Sequence, residues 1–143
     1  MRLNLQTDYA LRLLMYLAVN DGRVNTIADV SSHYGISRHH LTKVANALSG
    51  LGVVTSTRGR GGGIALAEPV DEIVIGEIVR SVENDFHLVE CHGPKNACAI
   101  SAGCRLAKVL TDAGNAFLAV LDGVTLADLT RRNSSLRSLL RVA

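Results

Sequence analysis

The sequence predicts a mainly α-helical protein: a winged helix-turn-helix unit with a small two-stranded wing, followed by a long helix. Three observations carry this. Two short amphipathic segments flank a tight turn at Tyr34-Gly35-Ile36. Two β-rich runs then enclose the glycine-rich stretch Gly59 to Gly63. Farther on, from about Cys104 to Leu121, apolar residues recur at helical spacing. Hydrophobic residues make up 48% of the 143, aromatics only 3%, and Trp is absent, so the core must be aliphatic.

Each element has a local reason. Thr7 and Asp8 are expected to cap a helix from about Tyr9 to Asn20, with Leu11, Leu14, Met15, Ala18 and Val19 as its apolar stripe. Thr26 and Asp29 stand at capping-box spacing before a short helix to about His33. Gly35 can take the left-handed conformation that ends it. Ser37 is placed to cap a third helix, roughly Arg38 to Ser49. Val53 to Thr57 and Ile64 to Ala67 read as the strands of the wing, and Pro69 disfavours continuing the second. Ile75 to Val82 reads as a helix that packs back on this unit, and another short helix starts near Val124. The basic tail after Arg131 carries no readable motif.

Charge is distributed unevenly. Residues 1–60 hold seven Lys/Arg against three Asp, whereas residues 61–100 hold two against seven Asp/Glu. A basic first segment beside an acidic one points to an anionic partner for the first. The third helix is two-faced. Leu41, Val44, Ala45, Leu48 and Leu51 form one side; Arg38, His39, Thr42, Lys43 and Asn46, with Ser37 before them, form the other. That outer face carries donors and positive charge and no carboxylate, as a helix entering a phosphate-walled groove requires. Arg58 and Arg60 in the glycine loop are placed to neutralise phosphate or enter a minor groove. The loop lacks the Gly-Lys-Ser/Thr of a phosphate-binding loop and opens no helix, which excludes a dinucleotide fingerprint. Double-stranded DNA is therefore the expected partner.

Three cysteines, Cys91, Cys98 and Cys104, have the spacing C-x6-C-x5-C. This is neither paired C-x2-C zinc spacing nor a ferredoxin run. They lie among Lys, Asn, His and Gly, a composition foreign to a core. No membrane span or cleavable leader is evident, which predicts a cytoplasmic protein with reduced thiols. Metal or cluster ligation is the expected use. Three thiolates leave one position open, for His87, His92 or a carboxylate from elsewhere. Downstream, Leu106, Leu110, Ala113, Phe117 and Val120 form a heptad seam. Such a seam can face the chain's own core. A helix extending from a small winged unit usually buries its stripe against a partner, which predicts a symmetric homodimer. The expected organisation is a winged helix-turn-helix region over 1–82, a cluster-binding loop over 83–103, and a dimerisation helix with C-terminal tail over 104–143.

Taken together, Thr7-Asp8-Tyr9-Ala10-Leu11-Arg12, Gly35-Ile36-Ser37-Arg38, Arg58-Gly59-Arg60-Gly61-Gly62-Gly63-Ile64 and the cysteine triad resemble the winged-helix iron–sulfur regulators, the family that includes the IscR, RirA and NsrR types. The resemblance covers essentially the whole chain. It is strongest to the nitric-oxide-responsive NsrR type, on Asp8, on Glu83 to Cys91 and on Val124 to Leu129. It implies a repressor on a palindromic operator. It also implies a cluster, 4Fe–4S with 2Fe–2S as the alternative, held by Cys91, Cys98 and Cys104, with Asp8 of the partner subunit as fourth ligand. The IscR type would place a histidine where this chain has Ala107. An iron- or cluster-status sensor of the same family is the alternative function. An electron-transfer iron–sulfur protein is a more distant one. No catalytic arrangement is apparent, so an enzyme is not expected.

Overall fold

In the computed structural model, which describes residues 2–57, 59 and 61–141, the order of elements is α1 (Leu5–Val19), α2 (Ile27–Tyr34), α3 (Arg38–Gly50), β1 (Val54–Ser56), β2 (Ile64–Leu66), α4 (Ile75–Val82), α5 (Arg105–Asp122), α6 (Leu126–Thr130) and α7 (Ser134–Leu140). The strands pair antiparallel, with Val54 opposite Leu66 and Ser56 opposite Ile64. The mainly α fold with a two-stranded wing is as expected.

The core forms around α1, whose Ala10, Leu13, Leu14, Tyr16 and Leu17 are buried. Helices α3, α4, α6 and α7 and strand β2 all pack on α1. This central position explains why the observed stripe differs from the expected one. A helix buried on several sides has no single apolar face. Of the expected stripe Leu14 and Val19 are buried and Leu11, Met15 and Ala18 form a half-buried flank, while Ala10, Leu13, Tyr16 and Leu17, outside that stripe, are buried as well. The expected cap is also corrected. Helix α1 starts earlier, at Leu5, and Asn4 is its N-cap, its Oδ1 accepting from Thr7 N at 2.8 Å. Thr7 and Asp8 lie inside the first turn.

The other caps follow local sequence. Thr26 and Asp29 form a reciprocal capping box on α2, which ends at Gly35 with φ 66°. Ser37 Oγ accepts from His40 N at the start of α3. At the base of the wing, Ile64 N donates to Asn25 O at 2.7 Å. This joins β2 to the loop before α2. A Cβ at residue 63 would fall 2.5 Å from that carbonyl, so glycine is required there for space alone.

Two C-terminal elements return to the core. Helix α6 has its own capping box, from Thr125 and Asp128, and the bonds from Thr125 hold the Asp128 carboxyl below its ordinary range. Helix α6 is tied to the start of α4 by Ile75 N to Val124 O and Leu126 N to Ile73 O, both 2.9 Å. The tail beyond Arg131 is not featureless. Asn133 caps α7, Leu140 is buried, and Asn20 Nδ2 donates to Leu140 O at 2.8 Å. No helix among the described residues is long and apolar enough to cross a membrane.

Between these anchored parts runs an arm. From Glu83 to Thr125, including all of α5, no residue is buried. The arm is held to the core where α5 ends against α4. Arg80 pairs with Asp122 through both nitrogens, Nη2 to Oδ2 at 2.7 Å. Gly76 lets the two backbones approach: a Cβ there would lie 2.9 Å from Asp122 N. Gly76→Ala would gain about 1 kcal/mol of helix propensity. Overpacking costs about 1–3 kcal/mol, and displacing Asp122 from Arg80 adds to it. The expected net result is a lower Tm by thermal unfolding, the opposite of a usual Gly→Ala change in a helix.

Candidate nucleic-acid interface and cysteine segment

Ser37, Arg38, His39, Thr42, Lys43 and Asn46 are all exposed on one face of α3. The opposite face, Leu41, Val44, Ala45 and Leu48, is buried against the core. Thr42 Oγ1 donates to Arg38 O at 2.8 Å, and the residue stays exposed. His40, which the outer-face reading of the sequence passes over, is exposed too. Its ring lies 6.1 Å from Tyr9 of α1 and 5.9 Å from His39. The signal is present in the sequence: residue 40 falls on the outer edge of the same helical turn. Arg58 and Arg60 lie outside the described residues. Around them, Thr57 N donates to Gly63 O at 2.9 Å, closing the loop, and Gly59 and Gly61 have φ of 104° and 82°.

Helix α1 runs behind this surface. Tyr34 Oη, at the end of α2, donates to Arg12 O at 3.2 Å. Burial pushes the Tyr34 phenol up to about 12, so it remains a neutral donor at any ordinary pH. Asp8 is half-exposed and paired with Arg12 through both oxygens, at 2.9 and 3.1 Å. Its first-turn position favours a negative charge.

The cysteines lie on the arm. Cys91 is in a short 3₁₀ turn, Glu90–His92; Cys104 immediately precedes α5. Both are half-buried, whereas Cys98 is exposed, and all three are free thiols. Around Cys98 the chain is held by local bonds. Asn96 Oδ1 accepts from Cys98 N at 2.9 Å, and Ser101 Oγ donates to Cys98 O at 2.6 Å. Among the described residues, no three His, Cys, Asp or Glu side chains stand together as a metal-holding group. The chain by itself therefore does not gather the triad, and Asp8 is engaged by Arg12. The donor chemistry nevertheless suits an iron–sulfur cluster. Three accessible thiols on a segment without buried packing can converge on soft iron at no cost to the core.

The two candidate histidines have other partners. His87 Nδ1 lies 2.6 Å from Asp85 Oδ1. His92 Nε2 lies 3.1 Å from Ala107 O and 3.3 Å from Thr111 Oγ1, so it joins the 3₁₀ turn to α5. A cavity of about 570 Å³ separates arm and core, lined by Glu83, Phe86, His92, Leu110 and Phe117 among others.

That cavity corrects the heptad seam. Leu110 and Phe117 turn toward their own chain. Leu106, Val109 and Val120 are 61%, 60% and 69% exposed. With Ala113 and Ala116, also exposed, they form a second apolar stripe spaced 3-4-3-4 on the outer side of α5.

Comparison with known proteins agrees with this architecture. The chain is 45% identical over 144 residues to the HTH-type transcriptional regulator NsrR of Bacillus subtilis strain 168, covering 99% of both chains. It is 47% identical over 145 residues to the regulator of the same name from Geobacillus kaustophilus strain HTA426, covering 99% of this chain and 97% of that one. Its fold is like that of T. potens IscR, with a TM-score of 0.73 at 23% identity, covering 94% of this chain and 90% of that one. Residues 3–132 match the Rrf2 family, described as iron-dependent transcriptional regulators. The chain, with its exposed basic α3 and its wing, is a transcription regulator belonging to the Rrf2 family.

Proposed function

We propose that this chain is a homodimeric repressor that binds a palindromic DNA operator and loses it in response to nitric oxide. The receptor is an iron–sulfur cluster, 4Fe–4S, held by Cys91, Cys98 and Cys104 with Asp8 of the partner subunit as fourth ligand. One observation carries the reading. The same chain presents an exposed α3 face of donors and cations without a carboxylate and, on a separate arm, three accessible thiols.

A bound cluster supplies iron atoms open to attack by a small neutral diatomic such as nitric oxide. Everything else falls to the chain. The three thiols ligate and have no catalytic role. The cationic and hydroxyl side chains of α3 meet phosphates and base edges. Arg58 and Arg60 of the glycine loop neutralise phosphate or enter a minor groove, Arg60 being the one expected to reach it. The outer stripe of α5 meets its counterpart in a second copy, so residues 104–122 act as the dimerisation helix and 83–103 as the cluster-binding loop. Two copies of α3 can then read half-sites about 34 Å apart. Asp8 is held by Arg12 in the chain alone. Ligation across the dimer requires it to exchange that partner for iron.

Anaerobic purification, an absorption spectrum and a nitric oxide titration read against operator binding test the reading. A visible charge-transfer band that bleaches as DNA is released is expected. A band that persists in nitric oxide but disappears with chelated iron, releasing DNA, would move the assignment to iron sensing, the reading that the family's iron-dependent description favours. For the interface, Lys43→Ala should weaken binding to operator and to random DNA alike. It should flatten the salt dependence by about one unit of slope if Lys43 meets a phosphate. An unchanged slope in fluorescence anisotropy titrations refutes that contact.

A further inference from the structure

We propose that Glu83 is the positioning residue through which the cysteine segment acts on α1 and hence on the DNA-reading helices. The inference deepens the function proposed above and rests on it for its regulatory meaning. Glu83 stands at a junction. Its backbone belongs to the end of α4, with Glu83 N donating to Val79 O at 2.9 Å. Beyond it the chain enters the arm, where no residue is buried before α6. Glu83 is therefore the firm end of the segment that carries the cysteines.

Its side chain grips the start of α1. Asn4 N donates to Glu83 Oε2 at 3.0 Å, Asn4 Nδ2 to Oε1 at 2.8 Å, and Thr7 Oγ1 to Oε2 at 2.8 Å. Asn4 is the N-cap of the helix and Thr7 is fully buried. One carboxylate thus satisfies three donors where a helix leaves its N–H groups without intrahelical partners, and its charge suits that end of the dipole. A carboxylate accepts at both oxygens; an amide must offer one NH₂ to another donor.

The gripped turn leads straight to the interface. Asp8 follows Thr7. Tyr9 then packs 6.1 Å from His40 of α3, and one turn on, Arg12 O accepts from Tyr34 of α2. A pull on the arm that shifts Glu83 therefore moves the first turn of α1, and with it both helices of the helix-turn-helix. Both carboxylate oxygens are already engaged by donors on α1, so Glu83 acts by position and not as a metal ligand.

The test compares Glu83→Gln with the double swap Asn4→Asp/Glu83→Gln in the full chain. The swap reverses one hydrogen bond. The carboxylate introduced at position 4 accepts from the amide introduced at position 83 while still capping Thr7 N, and the carbonyl of that amide takes the other two donors. Two quantities are read. One is hydrogen exchange at the first-turn amides of α1 in cluster-free protein. The other is the ratio of operator affinities before and after nitric oxide. Glu83→Gln is expected to load the cluster with an unchanged absorption band, to exchange about tenfold faster in that turn, and to lose about tenfold of the affinity ratio, a typical coupling between sites. The swap is expected to restore both. Unchanged exchange and ratio in Glu83→Gln, or failure of the swap to restore them, overturns the proposal. Loss of the absorption band in Glu83→Gln alone also overturns it, by making Glu83 a ligand. Should Glu83→Gln not fold, Thr7→Val, which removes one donor of the three, carries the same comparison. If the unmodified protein shows no response to nitric oxide, the proposed function fails separately. Glu83 is then judged on exchange and on cluster-free operator affinity, where no change overturns it.

Discussion

Cys98→Ala is expected to give a folded, stable protein that has lost its visible absorption, binds the operator more than a hundredfold more weakly and no longer responds to nitric oxide. Cys98 is the suitable position because it is exposed. Removing its sulfur leaves no cavity, so an effect on folding is not expected. The effect on ligation is large, because two thiolates and a carboxylate would be too few donors to hold the cluster. Specific binding by DNA regulators exceeds non-specific binding by about 4–10 kcal/mol. Losing about 3 kcal/mol of that margin weakens binding more than a hundredfold. Anaerobic absorption spectra, far-UV circular dichroism and footprinting check the three parts separately. A variant that keeps the band and the operator affinity would remove Cys98 from the ligand set.

The DNA-reading unit is legible because its determinants are local. Thr26 with Asp29, Gly35 and Ser37 are caps whose partners lie within a few residues, and the structure uses each as the sequence suggests. The start of α1 escapes a local reading for the opposite reason. Asn4 serves as its cap with the help of Glu83, 79 residues away, and no local pattern reports that pairing. The central stripe of α1 escapes it because apolar periodicity fades in a helix enclosed by several neighbours. Helix α7 is hidden because Asn133-Ser134-Ser135 reads equally well as loop, and burial of Leu140 beside Asn20 decides otherwise.

The cysteine segment shows a different limit. Spacing and composition single out Cys91, Cys98 and Cys104 as ligands, yet the folded chain does not draw them together. Nothing in the protein alone should. Thiols on an arm without buried residues attract one another weakly, and the free energy that assembles a metal site comes chiefly from the metal. The arm's lack of buried residues is consistent with a segment whose final arrangement is left to a ligand and a second subunit.

The second large effect is expected from the outer face of α5. Periodicity locates an apolar seam but cannot say which stripe faces inward. In the structure Leu110 and Phe117 face the cavity, leaving Leu106, Val109, Ala113, Ala116 and Val120 outside. Val109→Glu combined with Val120→Glu places two carboxylates on that stripe. Both positions are about two-thirds exposed in the single chain, so the folded monomer loses little. In a two-fold dimer the change is doubled, and four carboxylates would be brought into an apolar interface. Burying an unpaired charge costs several kcal/mol even after relaxation, which exceeds what two short stripes can return. The variant is therefore expected to be monomeric by sedimentation, with helix content near that of the parent and a Tm lowered only by the loss of the partner and the cluster. A single winged unit reads only one half-site, so operator affinity should fall by roughly a thousandfold, toward the non-specific level. The cluster should be lost as well, because Asp8 of the partner subunit is no longer at hand. A double variant that stays dimeric would place the interface elsewhere on the arm. One that turns monomeric but keeps its cluster would refute the crossed aspartate ligand while leaving the dimer helix in place.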